Sequence, residues 1–106
     1  MHTHLESFSD SLVVTLSGRL TFAENGAFRQ VVEDLAGSDR LAVVVDLGTL
    51  EFMDSAGMGL LLVARDVVAA RGGHVSLRAA QGQVARMLRL AKFGDFFTLD
   101  FECAQV

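Results

Sequence analysis

Residues 41–47 constrain the fold more than any other stretch: Leu41-Ala42-Val43-Val44-Val45 are apolar at consecutive positions, and Leu47 follows the single polar Asp46. A half-buried strand alternates. A run apolar on both faces is expected where a strand lies in the middle of a sheet, so Val43–Val45 and Leu47 are expected at its centre with helices packed on them. Helical patterns flank this run. Before it, Phe28, Val31, Val32 and Leu35 fall at i, i+3, i+4 and i+7 and stop at Gly37. After it, a second helix runs from about Ser55 to Arg71 and ends at Gly72-Gly73.

The other segments extend the alternation. Residues 4–8 and 11–18 read as two strands joined by Ser9-Asp10, the second with Leu12, Val14 and Leu16 on one face. Residues 19–25 and 48–53 read as loops. Residues 74–79 form a strand, and residues 82–94 a third helix with Val84, Met87, Leu88 and Ala91 inward. Residues 96–102 form the last strand. The order β-β-α-β-α-β-α-β predicts an α/β fold: one mixed, mostly parallel sheet of four to five strands, about three helices and an antiparallel first strand.

Residues 1–106 read as one unit, with no internal repeat, low-complexity tract or linker. The chain is 51% hydrophobic, ample for one core, yet its longest apolar runs fall far short of the ~20 residues that span a bilayer. No basic region followed by an apolar stretch marks the N-terminus as an export signal, and the lone Cys103 rules out an internal disulfide. Both features point to a reducing cytoplasm, with Cys103 inert. A net charge of −4 argues against nucleic acid.

The chemistry concentrates in Glu51-Phe52-Met53-Asp54-Ser55-Ala56-Gly57-Met58-Gly59. Asp54 or Ser55 is placed to cap the helix that follows. Gly57 and Gly59 each cost roughly 1 kcal/mol of helix propensity against Ala, so bulk is expected to be excluded there by close packing or by a partner. A nucleophilic serine needs an adjacent base. The G-x-S-x-G elbow is absent because Met53 holds its first position, and the histidines are only His2, His4 and His74. A phosphoacceptor needs less: a phosphate at a helix N-terminus meets free N–H groups and the positive end of the dipole.

The stretch Val43–Leu62, with Asp54-Ser55-Ala56-Gly57-Met58-Gly59 at its centre, resembles the core motif of STAS domains of bacterial anti-sigma factor antagonists. The likeness covers nearly the whole chain, including residues 16–20 (LSGRL), 71–77 (RGGHVSL) and 84–99 (VARMLRLAKFGDFFTL). It implies a STAS fold and a partner switch. The unphosphorylated antagonist binds an anti-sigma factor that is a GHKL-type serine kinase, and so frees a sigma factor. Phosphorylation of the serine releases the complex, and a PP2C-type phosphatase restores the binding form. Carried over by position, Ser55 is the phosphoacceptor and Asp54 its acidic neighbour. Ala56, Gly57, Met58 and Gly59 then form the docking surface, with Thr21, Phe22 and Phe52 from loops expected near Ser55.

The chain departs from the family pattern twice. Gly18-Arg19-Leu20-Thr21 stands where G-E-L-D is usual, with Glu24 as a nearby carboxylate, and only four residues follow Glu102 where a further helix is usual. A second reading is a STAS accessory subunit docked on the ATPase of a lipid-transport ABC complex. On either reading the chain is not an enzyme and needs no cofactor. His2 and His4 lack a third metal ligand. Arg86, Arg89 and Lys92 are expected on one solvated helix face.

Overall fold

The computed structural model describes residues 1–101. Within them five strands form one sheet in sequential order: β1 (His2–Ser7), β2 (Ser11–Leu20), β3 (Ala42–Met53), β4 (His74–Arg78) and β5 (Thr98–Asp100). β1 pairs antiparallel with β2, and every other pairing is parallel. Helices α1 (Asn25–Ala36), α2 (Ser55–Ala69) and α3 (Gly82–Leu90) connect the parallel strands, with short 3-10 turns at Phe22–Glu24 and Phe93–Asp95. The expected element order and the antiparallel first strand are both present. The expectations for Glu102, Cys103 and the four-residue tail lie outside the described residues.

The sequence gives β3 one strand's worth of apolar residues; the structure gives it twelve residues. Asp46 does not end it. Residues 48–53 and Arg19-Leu20, read as loops, continue the β2–β3 ladder to Leu20 opposite Met53. Two register shifts, between Thr15 and Ser17 and between Gly18 and Arg19, absorb the extra residues of β3 as bulges. The glycine and polar residues that signal a turn are those a bulge also uses, and pairing with β2 decides between the two.

Burial alternates cleanly. Leu12, Val14 and Leu16 of β2, Val43, Val45 and Leu47 of β3, and Val75 and Leu77 of β4 are buried on one face. Right-handed crossovers between neighbouring parallel strands put α1 and α2 together on that face. They contribute Phe28, Val31 and Leu35 from α1, and Leu61, Ala64 and Val68 from α2. The opposite face carries Val13, Thr15, Val44, Asp46, Ser76 and Arg78, all half-buried. Among the described residues no helix covers this face, so Val44 lies on the open side of the sheet. The apolar run marks a central strand, but only its odd-numbered residues enter the core. Across this face Arg78 donates to Asp46 Oδ2 from Nη2 at 2.8 Å and from Nε at 3.1 Å.

α3 lies beyond the end of β4 and packs against the distal half of β3. There β4 has ended and the β3 edge has no strand neighbour among the described residues. The Gln83 side chain takes that place, accepting from Met53 N–H at 3.0 Å and donating to Met53 C=O at 2.8 Å, while Gln81 donates to Gly48 C=O at 2.8 Å. α3 ends a turn earlier than periodicity predicts, because Lys92 takes a left-handed φ of 58° and the chain turns into Phe93–Asp95. Ala91 is consequently exposed, and Lys92 leaves the helical row of Arg86 and Arg89. Phe97 precedes β5 and is buried, stacked on Phe93 at 5.4 Å between ring centroids.

Leu47→Ala should cost about 2–5 kcal/mol through lost burial and a cavity, whereas Val44→Ala should cost under ~1.5 kcal/mol. Urea titration followed by circular dichroism measures both. Equal losses would mean that the second face is covered.

Candidate functional site

The chain leaves β3 at Met53 and enters α2 at Ser55, and Asp54 organises the junction. Its backbone is extended (φ −107°, ψ −177°), as an N-cap requires, and its Oδ1 accepts from Gly57 N–H at 2.8 Å. Its Oδ2 accepts from Phe22 N–H at 3.3 Å, and its own N–H donates to Leu20 C=O at 3.3 Å. One residue thus ties the start of α2 to the end of β2 and to the 3-10 turn.

Gly57 is buried at this junction. A Cβ there would land on the Leu20 carbonyl oxygen and stand 3.0 Å from Met53 Cγ, so the close approach of α2 to β2 depends on the missing side chain. Gly59 is different. It is exposed, and a Cβ there would meet nothing within 4 Å. The expectation that bulk is excluded at both glycines holds for Gly57 by packing and fails for Gly59 within this chain.

Because Asp54 is the cap, Ser55 is the first helical residue, and its exposed hydroxyl makes no hydrogen bond among the described residues. The first-turn N–H groups of Ser55 and Ala56 have no intrahelical acceptor. An anion carried on Ser55 would therefore stand beside free donors at the positive end of α2. Ala56 and Met58 are half-buried, Met58 against the core.

Thr21 and Glu24 form a reciprocal box. Thr21 Oγ1 accepts from Ala23 N–H at 3.3 Å and donates to Glu24 Oε1 at 2.8 Å, and that oxygen also accepts from Thr21 N–H at 3.0 Å. The Thr21 hydroxyl first, and its N–H second, hold the Glu24 carboxyl below the usual carboxylate range. A depressed acid supports the fold above its ordinary range, so this box is intact at neutral pH and is lost as pH falls through the lowered pKa. It fixes the turn that presents Phe22, which is 73% exposed. The T-x-x-E spacing of residues 21–24 is a readable capping signal. Gln83, which braces Met53 from α3, had no such signal.

Phe52 does not join Phe22. It lies on β3, not in a loop, on the face opposite Met53, with the Arg19 guanidinium 4.5 Å from its ring centroid. The expected apolar pair is split by the pleat, and Phe22 alone flanks Ser55. No histidine serves Ser55 as a base: His2 and His4 stand on edge strand β1, and His74, at the far end of β4, bonds Thr98 Oγ1 at 2.6 Å. Among the described residues no cluster of three metal-ligating side chains occurs, and no helix is long and apolar enough to cross a membrane.

These features define an α/β domain built on a sequential five-stranded mixed sheet, with an exposed serine at an aspartate-capped helix start. The chain belongs to the STAS domain family, which it matches over residues 3–104. It is 30% identical over 88 residues to a STAS-domain containing protein of Pseudomonas aeruginosa (strain UCBPP-PA14), covering 83% of this chain and 86% of that one. Its structural neighbours include anti-sigma factor antagonists. SpoIIAA in its unphosphorylated form superposes with a TM-score of 0.69 at 20% identity, over 97% of this chain and 90% of that one. The phosphorylated form of Bacillus SpoIIAA gives 0.71 at 21% identity, over 95% and 93%. The same fold occurs within murine Solute Carrier 26 family member A9, an anion transporter, with a TM-score of 0.76 at 21% identity over 92% of this chain and 17% of the transporter.

Three substitutions test what holds the junction together. Gly57→Ala should destabilise by about 3 kcal/mol, because backbone must move to admit the methyl group. Gly59→Ala should leave stability unchanged or raise it by up to ~1 kcal/mol. Asp54→Ala should cost about 1–3 kcal/mol through the lost cap and the unpaired Phe22 N–H. Thermal melts followed by circular dichroism read all three.

Proposed function

We propose that this chain is an anti-sigma factor antagonist that acts by binding rather than catalysis and is switched by phosphorylation of Ser55. The observation that carries this reading is the division of labour at the helix start. Asp54 does the capping, so the Ser55 hydroxyl has no structural task and stands exposed among free N–H groups. Unphosphorylated, the surface made by Asp54, Ser55, Ala56, Gly57, Met58 and Gly59, with Thr21 and Phe22 beside it, binds an anti-sigma factor of the GHKL serine-kinase type. Phe52 contributes only where a partner wraps onto the open face. Phosphorylation disperses the complex, and a PP2C-type phosphatase reverses it. The protein acts in the cytoplasm.

The switch works on the interface, not on the fold. A phosphoserine carries about −1.5 to −2 charge, and the α2 N-terminus tolerates it. The partner that packs closely on a neutral hydroxyl and on the bare backbone of Gly59 does not. Burying an unmatched charge costs several kcal/mol, and each ~1.4 kcal/mol is tenfold in affinity.

Ser55→Ala should bind the cognate kinase as tightly as the parent, and Ser55→Asp at least about tenfold more weakly, with melting temperatures within a few degrees of each other. Isothermal titration against the cognate anti-sigma kinase measures the first, and circular dichroism the second. Equal affinities for all three forms would remove the switch. Equal and permanent binding to a transporter ATPase would establish the accessory-subunit reading instead.

A further inference from the structure

Among the described residues β1 is an outer strand, paired with β2 on one side only, and its other edge presents unpaired backbone N–H and C=O groups. Exposed edges in soluble proteins are usually blunted by proline, lysine, a bulge or shortness. The other edge strand of this sheet, β5, has three residues. β1 has six, contains neither Pro nor Lys, and pairs with β2 without a register shift. It is a straight, open edge.

Its side chains are self-complementary. Pairing with β2 sets Leu5 opposite Val14 on the helix face, and His4 and Glu6 opposite Thr15 and Val13 on the open face. All β1 residues are exposed except Leu5, which is half-buried and lines a groove with Ser7, Leu12 and Arg40 beside the edge. A second β1 laid antiparallel about a two-fold axis through Leu5 sets His4 opposite Glu6, Glu6 opposite His4, Thr3 opposite Ser7 and Leu5 opposite Leu5. Each His4 imidazole then meets a Glu6 carboxylate, His2 falls opposite Phe8, no like charges face each other, and the two leucines meet where both grooves open. Each residue opposes one of the same parity. Outward-facing amides therefore find outward-facing carbonyls, whichever set β2 has already taken.

We propose that β1 is a homodimer interface, joining two copies through antiparallel β1–β1 pairing centred on Leu5 into a continuous ten-stranded sheet. The two-fold axis is perpendicular to the sheet and reverses strand direction. The Ser55 surfaces of the two copies therefore lie at opposite ends, both open, and one dimer presents two independent docking sites.

Sedimentation velocity from about 1 µM to 1 mM should show a reversible monomer–dimer equilibrium. Glu6→Lys removes both cross-strand pairs at an exposed position and should weaken dimerisation about tenfold without lowering the melting temperature. His4→Glu combined with Glu6→His exchanges the two partners across the seam, recreates both pairs and should restore the parental constant. Register is read by oxidation in a Cys103→Ala background. Leu5→Cys should form an interchain disulfide, since directly opposite Cβ atoms lie about 4.5–5.5 Å apart and bridge with a small shift. His4→Cys should not. A chain that stays monomeric at 1 mM, a dimer indifferent to Glu6→Lys, or crosslinking through His4→Cys in place of Leu5→Cys would each overturn the proposal.

Discussion

The contact between the first turn of α2 and the carbonyl of Leu20 is the constraint on which the site depends. A helix packed on a sheet through side chains stands about 10 Å off it. Here the helix start comes down onto backbone, because Gly57 offers no Cβ and the Asp54 N–H bonds the same carbonyl oxygen. That approach brings the Phe22 amide within reach of Asp54 Oδ2 and lets one carboxylate serve two chain segments. It also relieves Ser55 of the capping role and leaves its hydroxyl facing solvent.

The junction is braced from behind. β3 runs past the end of β4, so its distal edge would be bare at the residues leading into Asp54. Gln83 closes that edge with a side-chain amide that copies the pairing of a strand. An unpaired backbone group at a half-buried position costs about as much as a lost hydrogen bond. The position of α3 is therefore tied to the geometry of Met53, and through it to Asp54. On the opposite side the Thr21–Glu24 box holds the turn that carries Phe22. The Ser55 junction is thus held by hydrogen bonds from β2, from the 3-10 turn and from α3.

The sheet is covered on one face by α1 and α2. The other is a shallow polar surface with valines at its centre and the Asp46–Arg78 pair across it. Sequential strand order has this consequence, since right-handed crossovers that always advance in one direction return each helix to the same side. The two proposed surfaces are thereby segregated: the exposed Ser55 sits at a helix start at one end, and the edge of β1 runs along one side.

Much of this was legible in the residues. Periodicity alone carries the element order, the central place of β3 and the α1 face, because burial of Phe28, Val31 and Leu35 needs only one side of a helix. The motif at Asp54-Ser55 announces a capped helix start by residue type. What it leaves open is which of the two caps, since either oxygen can accept a first-turn amide. The tertiary structure chose Asp54, whose longer side chain alone reaches Phe22 as well as Gly57. Tertiary structure also decided that residues 48–53 are strand, because a glycine and polar residues satisfy a loop or a bulge equally until β2 supplies a ladder. It separated Phe52 from Phe22, because alternation about the pleat depends on a register that two bulges had shifted. And it exposed Val44, because a sequence records that a side chain is apolar but not which face of the sheet the helices will cover.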